Sequence, residues 1–321
     1  MTSKIFDISV QNPDDSTHFG NPAASKTTPC PACGSRIARP LFPKERPWIL
    51  RCDTCGLTRA EPQPSDDELE AIYDEHYYEQ FGFVARNQDD RALSTTKRAT
   101  YGRLLSQLQT HLPKDAQQPE SVRPRHLLDI GCGLGYSLLE AQSRGYQALG
   151  LDPLAPVGNP RFADRTILRD TLETVELTQR FDAVTAIDVI EHVRDPIQTV
   201  RAAARLLRSD GVLMLATNDV SSLGARLLGP RWTHFHRAHL WFFTPETLSK
   251  IVSLAGLEVI ATEPVWRVYN FEYIASILAR GDNFRLAMRC AQAGLKRVPK
   301  ALQRLPWPAV PEGFVLFART P

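Results

Sequence analysis

At 321 residues the chain has room for one large α/β domain plus a smaller unit, or for two modest domains. Its 43% hydrophobic and 23% charged residues are ordinary for a globular protein, and a net charge of +2 is too mild to call for nucleic acid. No apolar run reaches the roughly 18–20 residues that a membrane-crossing helix needs.

Residues 1–28 are polar and lack the apolar core of a secretory signal, so a flexible leader and a cytoplasmic protein are expected. Two Cys-x-x-Cys pairs follow, Cys30 with Cys33 and Cys52 with Cys55, each trailed by a glycine, Gly34 or Gly56. Two such knuckles can bring four thiolates onto one tetrahedral ion, the closed geometry of structural zinc. A redox role would instead call for a single pair in a βαβ context, which is missing here. The segment 29–62 is therefore expected to be a small zinc-ribbon-like module, too small to fold without its ion. Cys132 and Cys290 stand alone and are expected to be packing residues.

Residues 63–124 form a helical linker or lid. Ser65 is placed to cap a helix running towards Tyr78, with Leu69, Ile72 and Tyr73 on one face. A second helical pattern covers 89–112, and the polar stretch 113–124 is a boundary loop. From 125 to 321 the pattern alternates. Strands are expected at 126–130, 148–151, 165–168, 181–187 and 211–217, with helices between them from 136 and over 196–208. Thr244 and Pro245 open a last helix that Gly256 stops, and strands at 257–265 and 314–319 end the chain. Alternation of this kind gives a parallel sheet with helices on both faces. A helical insertion, 267–312, carries Arg280, Arg285, Arg289, Lys296, Arg297, Lys300 and Arg304. That basic stripe could grip phosphates, touch an anionic membrane surface peripherally, or be the wet face of a lid helix.

The sharpest local signal is Asp129-Ile130-Gly131-Cys132-Gly133-Leu134-Gly135, between a strand and a helix. Gly131 and Gly133 let a ligand approach backbone, and Gly135 lets the turn pack against the helix start. Asp152, about twenty residues on, ends the next strand, where a carboxylate can accept from both hydroxyls of a ribose. The pattern is similar to that of the class I S-adenosylmethionine (SAM)-dependent methyltransferases over about 125–265 and, more loosely, the last strand. The resemblance implies a Rossmann-like seven-stranded sheet ending in a reversed hairpin. It also implies a SAM site built from Asp129, Gly131, Cys132, Gly133, Leu134 and Gly135, with Asp152 on the ribose and Asp170 and Thr171 beside the adenine.

The segment Phe181–Val193 looks like the quinone and small-molecule O-methyltransferase branch. It puts Asp188, Glu191 and His192 at a strand's carboxyl end. Asp188 joins the cofactor set by that likeness, and the trio matches an acid-x-x-Glu-His arrangement associated with a divalent cation. His192 and Glu191 are also open to acid–base or orienting work, or to capping the next helix and lining the pocket without chemistry. Beyond the fifth strand, His239-Leu240 with Phe243 resembles a segment beside the acceptor, which makes His239 the leading candidate base; aromatic packing is the alternative there. A metal held by the histidines around 234–239 is not expected, because no acid accompanies them in sequence.

The expected activity is transfer of a methyl group to a small-molecule, glycan or nucleotide-linked acceptor, oxygen being favoured over the carbon of a nucleotide-linked sugar. Two other classes compete: an NAD-dependent oxidoreductase, and a non-catalytic binding protein whose zinc module does the recognising. The Gly-x-Gly-x-Gly spacing opposes the first, and the intact loop and Asp152 oppose the second.

Overall fold

The computed structural model describes residues 28–42, 48–73, 91–113, 124–155, 167–270, 299, 307–308, 311 and 313–321. In chain order, the cysteine unit supplies β1 (Ala38–Pro40), β2 (Trp48–Cys52) and β3 (Thr58–Glu61), followed by α1 (Asp66–Ile72) and α2 (Arg91–His111). The main domain runs β4 (His126–Ile130), α3 (Tyr136–Ser143), β5 (Gln147–Leu151), β6 (Ile167–Leu168), β7 (Phe181–Ile187), α4 (Pro196–Arg205) and β8 (Leu207–Asn218). It continues with α5 (Leu223–Leu228), β9 (Trp241–Phe242), α6 (Pro245–Leu254), β10 (Glu258–Val265), β11 (Val268–Tyr269), β12 (Trp307–Pro308) and β13 (Gly313–Arg319).

Seven strands form one sheet in the order β10-β13-β8-β7-β4-β5-β6. The β4–β5, β5–β6, β4–β7 and β7–β8 pairs are parallel, while β13 pairs antiparallel with both β8 and β10. This is the expected Rossmann-like methyltransferase sheet with its reversed terminal hairpin. Its centre is covered on both faces, so β7 and β8 read as nearly unbroken apolar runs, buried from Phe181 to Ala186 and from Gly211 to Asn218. Strand order reverses between β4 and β7, and the carboxyl ends of these strands border the crevice where open α/β sheets bind ligands.

The helix boundaries follow their caps. The Ser65 side chain accepts from Glu68 N–H while the Glu68 carboxylate takes the Ser65 N–H, a reciprocal capping box. Asp195 caps α4 through the amides of Ile197 and Gln198, and Thr244 caps α6 with Pro245 at its first turn. Helix α4 ends at Arg205 rather than 208, because Leu207 joins the sheet opposite Phe181. The helix expected to run towards Tyr78 closes at Tyr73 within the described residues.

The cysteine unit does not stand apart. Strand β9 of the main domain adds to it as a fourth strand, Thr58 opposite Phe242 and Arg59 opposite Trp241. Cys30, Ala32, Cys52 and Leu57 are buried in the same core cluster as Leu240, Phe243, Leu248 and Ile251. Its residues thus fold against the domain that follows. The insertion is bracketed by the β11–β12 pair; Cys290 and the seven basic residues named above lie outside the described residues. Among the described residues, no helix is long and apolar enough to cross a membrane.

Candidate active site and cysteine cluster

The glycine turn bridges β4 and α3. Gly131, Gly133 and Gly135 have φ of 68°, 52° and 74°, the left-handed region in which a side chain is strained. A Cβ on Gly131 would also collide with Cγ2 of Val189, so the turn after β7 is pressed directly onto the loop. Cys132 is buried, its sulfur 2.5 Å from where a Cβ on Gly150 would stand; it packs, as expected. Gly150 itself drew no notice in the sequence, yet the close approach of loop to β5 depends on it. Leu134 is buried beside Tyr136, with Tyr101 of α2 laid over them.

Three acids line this end of the sheet. Asp129 is buried and accepts from Ser137 Oγ and from Thr185 Oγ1, the latter at 2.5 Å. Burial pushes its carboxyl up to about 6, against the pull of those hydroxyls. Asp152 is 4% exposed; its Oδ2 accepts from the Gly133 N–H at 2.8 Å and its Oδ1 from the Leu154 N–H at 2.8 Å. The acid therefore holds the loop from the neighbouring strand end. Asp170, after β6, accepts from the Thr171 N–H at 2.8 Å and from Thr174 Oγ1, which fixes the next turn. Left-handed glycines with a carboxylate at the neighbouring strand end fit an adenosine-bearing donor.

The acceptor side is assembled from distant parts of the chain. Asp188 sits at the end of β7 with φ 57°, the only positive φ outside glycine among the described residues. Its carboxylate forms a two-pronged pair with the Arg267 guanidinium, including Oδ2 to Nη1 at 2.7 Å. Burial would raise Asp188, but Arg267, supported by Lys97, holds it down at about 2. Lys97 on α2 is itself lowered by burial to about 8 although Asp188 pulls it upward.

Glu191 is 2% exposed; burial first, and then the Asp188 charge, push it up to about 8, which makes it a neutral carboxylic acid at pH 7. Its backbone carbonyl accepts from the amides of Leu240 at 2.8 Å and Trp241 at 3.1 Å, which tethers β9. His192 Nδ1 lies 2.9 Å from the Ala238 carbonyl and 2.8 Å from the Tyr73 hydroxyl. His239 is 5% exposed, its ring centroid 4.6 Å from that of His192 and 3.8 Å from that of His236. Burial, then the neighbouring imidazoles, hold His239 well below the usual value, and burial lowers His192 too. Both rings are therefore neutral at pH 7 and able to take a proton.

Of the trio expected to hold a cation, Asp188 pairs with Arg267. The ligand atoms that converge are those of Glu191, His192 and His239, all within 4.8 Å of one another. The acid that the 234–239 stretch lacks in sequence thus comes from Glu191, through the tether to β9. Sequence reasoning missed Arg267, Lys97 and the polar role of Tyr73. Lys97 and Tyr101 lie one turn apart, and that spacing was the one available hint; nothing local marks Arg267.

In the cysteine unit the four Sγ atoms also lie within 4.8 Å of one another. Cys30 and Cys55 are 3.4 Å apart and Cys33 and Cys52 3.5 Å, far beyond a disulfide, and all four are free thiols. A metal about 2.3 Å from each of four sulfurs gives sulfur–sulfur edges of roughly 3.8 Å, so the cluster fits one tetrahedral ion. Gly34 and Gly56, at φ 73° and 77°, close the two turns, their amides donating to the carbonyls of Cys30 at 2.7 Å and Cys52 at 2.9 Å. Burial pushes the Cys30 thiol up, whereas the amides of Cys55 and Thr54 outweigh burial at Cys52 and bring it to about 7.

Comparison with known proteins agrees with this geometry. A family described as a methyltransferase domain matches residues 97–262, just over half of the chain. The ubiquinone biosynthesis O-methyltransferase of Methylobacterium nodulans is 34% identical over 179 residues, 50% of this chain and 70% of that one. Its counterpart from Rhodopseudomonas palustris strain BisB5 is 32% identical over 172 residues, 49% of this chain and 67% of that one. In fold, the chain is similar to the Burkholderia thailandensis 1,6-didemethyltoxoflavin-N1-methyltransferase, solved with 1,6-didemethyltoxoflavin and S-adenosylhomocysteine. The TM-score there is 0.50 at 14% identity, covering 88% of this chain and 99% of that one. Loop, acidic strand ends, sheet order and family match converge: the chain belongs to the methyltransferase-domain family and is a SAM-dependent methyltransferase.

Proposed function

We propose that this enzyme methylates a hydroxyl of a small-molecule acceptor. The observation that carries the reading is the neutral imidazole pair: His192 on the turn pressed through Val189 against the glycine loop, and His239 with its ring centroid 4.6 Å away. In this reading Asp152 accepts from the donor's ribose hydroxyls, Asp170 and Thr171 flank its adenine, and the loop from Gly131 to Gly135 passes beneath it. Asp129 holds the loop base through Ser137 and Thr185. Asp188, fixed by Arg267, borders the donor from the acceptor side. The bound donor supplies a sulfonium-activated methyl group: an oxygen–carbon bond forms as the carbon–sulfur bond breaks, the electron pair staying on sulfur.

The chain's own part is orientation and proton removal. The Nδ1 of His192 is occupied by Ala238 and Tyr73, so its Nε2 is the face left for the acceptor hydroxyl. His239 and the protonated Glu191 stand beside His192, with ligand atoms within 4.8 Å of one another. Imidazole does this work without a cation at Asp188. The names of the quinone-pathway relatives support an oxygen acceptor, and a glycan or nucleotide-linked hydroxyl meets the same chemistry. The cysteine cluster, in our reading, holds a structural Zn2+.

The test is turnover of isotope-labelled SAM against catechols and sugar hydroxyls, with and without a chelator of divalent cations. The reading expects labelled methyl ether and S-adenosylhomocysteine in equal amounts, at a rate that added Mg2+ leaves unchanged. A carbon-linked product, or strict dependence on Mg2+, would overturn it.

A further inference from the structure

The geometry points to Tyr73 as a positioning residue for His192, delivered to it by the metal-held N-terminal unit. This rests on the reading of His192 as the proton acceptor but is tested separately from it.

The Ala238 carbonyl can only accept, so a bond to it at 2.9 Å requires the proton on Nδ1 of His192. The Tyr73 oxygen, 2.8 Å from the same nitrogen, shares that proton, and the two rings meet edge to face with centroids 6.1 Å apart. Two acceptors on Nδ1 fix one tautomer, leaving the Nε2 lone pair as the reactive one, and they stop the ring from turning over. Ala238 lies on the segment that approaches β9, whereas Tyr73 comes from a helix 119 positions earlier in the chain.

The path from the sulfur cluster to that hydroxyl is short. Strand β3 leaves the second knuckle, and the capping box at Ser65 starts α1, which ends on Tyr73. Two ion pairs strap α1 over the site: Asp66 to Arg194 at 2.7 Å and Glu68 to Arg237 at 2.5 Å. Exposed pairs of this kind each contribute little, so they do not hold α1 by themselves. The firmer attachment is β3 itself, whose Arg59 is buried and donates to Glu61 at 2.9 Å and to the Thr28 carbonyl at 2.8 Å. The same β3 pairs with β9, which begins two residues after His239. One small sheet thus braces both halves of the imidazole pair, from Tyr73 on one side and from β9 on the other. A folding module so close to the chemistry has a use beyond stability.

The experiment is 15N NMR of the histidine side chains in the full chain, read without any acceptor. Spectra are taken for the metal-loaded wild type, metal-loaded Tyr73→Phe, and wild type after metal removal by a chelator. The proposal expects His192 in the wild type as one neutral tautomer with a slowly exchanging Nδ1 proton. In Tyr73→Phe it expects a mixture of tautomers with at least tenfold faster exchange, and after metal removal the same altered signal. SAM affinity should be unchanged in Tyr73→Phe, with any loss of turnover confined to kcat. An unaltered His192 signal in Tyr73→Phe would overturn the positioning role. Collapse of every histidine signal to the free position on metal removal would overturn the coupling, since the metal would then hold the whole chain. If the wild type fails to methylate any hydroxyl yet these spectra behave as described, the acceptor reading fails and the positioning stands.

Discussion

The donor side and the acceptor side of this crevice are built on opposite plans. The donor side is largely local: Asp129 to Gly135 and Asp152 come from one βαβ unit, and Asp152 accepts from the Gly133 amide inside it, with Thr185 of β7 reaching Asp129 from outside. The acceptor side gathers Tyr73, Lys97, Asp188, Glu191, His192, His239 and Arg267 from five separate elements and loops, held by long-range contacts. A binding site for an invariant ligand can be encoded in a short motif. A site that must fit one acceptor and move a proton is composed from whatever the fold brings near, and its residues tune each other electrostatically.

The largest effect that would sharpen this contrast is on turnover. His192→Ala is expected to lower kcat by about 10²–10⁴-fold, the usual worth of a positioned base, with SAM affinity unchanged; steady-state kinetics beside calorimetry read both. A parallel loss of SAM affinity would mean that the two sides are not separable. Next comes Gly131→Ala, which forces a side chain into the left-handed region and into Val189. About 2–3 kcal/mol of strain and displacement should weaken SAM binding by roughly 30–160-fold while the variant stays folded by circular dichroism.

The pH dependence of stability separates the sides further. Between its ordinary value of 4.5 and about 8, Glu191 is protonated in the folded state but ionised in the unfolded state. The folded protein then binds the extra proton, so this group makes stability fall as pH rises across that window. The buried histidines act oppositely, but only below their ordinary value of 6.5. From pH 6.5 to 7 the fall from Glu191 runs clear of the histidines at about 1.36 kcal/mol per unit; above 7 the Cys52 thiol, lowered from 9.0 to about 7 in the folded state, pulls the other way. Urea unfolding should show stability falling more steeply with pH in the wild type than in Glu191→Gln; equal slopes would remove Glu191 as a buried neutral acid. The smallest effect is Thr185→Val, which takes one donor from the buried Asp129. About 1–2 kcal/mol of stability should go, visible as a lower melting temperature, with kcat barely moved.

How much of this was legible in the sequence follows the same division. The sheet, the glycine loop and the four cysteines were readable because each rests on short-range periodicity or spacing: alternating strands and helices, left-handed glycines, paired thiols. What was not readable depends on contacts across the fold. Nothing near Arg267 announces that it faces Asp188, so the acid-x-x-Glu-His trio looked like a ligand set. Glu191 joins His239 only because its carbonyl anchors Leu240 and Trp241, a backbone bond that no residue pattern encodes. Tyr73 counted as one apolar helix residue because its hydroxyl meets His192, 119 positions away in the chain. The junction of β3 with β9 was hidden for the same reason, since two-residue strands carry no periodicity.

The central claim is that an adenosine-bearing methyl donor lies over residues 131–135 with its ribose on Asp152. Calorimetric titration of S-adenosylhomocysteine into wild type and Asp152→Ala tests it most directly. Loss of two hydrogen bonds to a carboxylate, at about 1.5–3 kcal/mol each, predicts one site in the wild type and at least a 100-fold weaker one in the variant. Equal affinity in a folded Asp152→Ala protein would contradict the account.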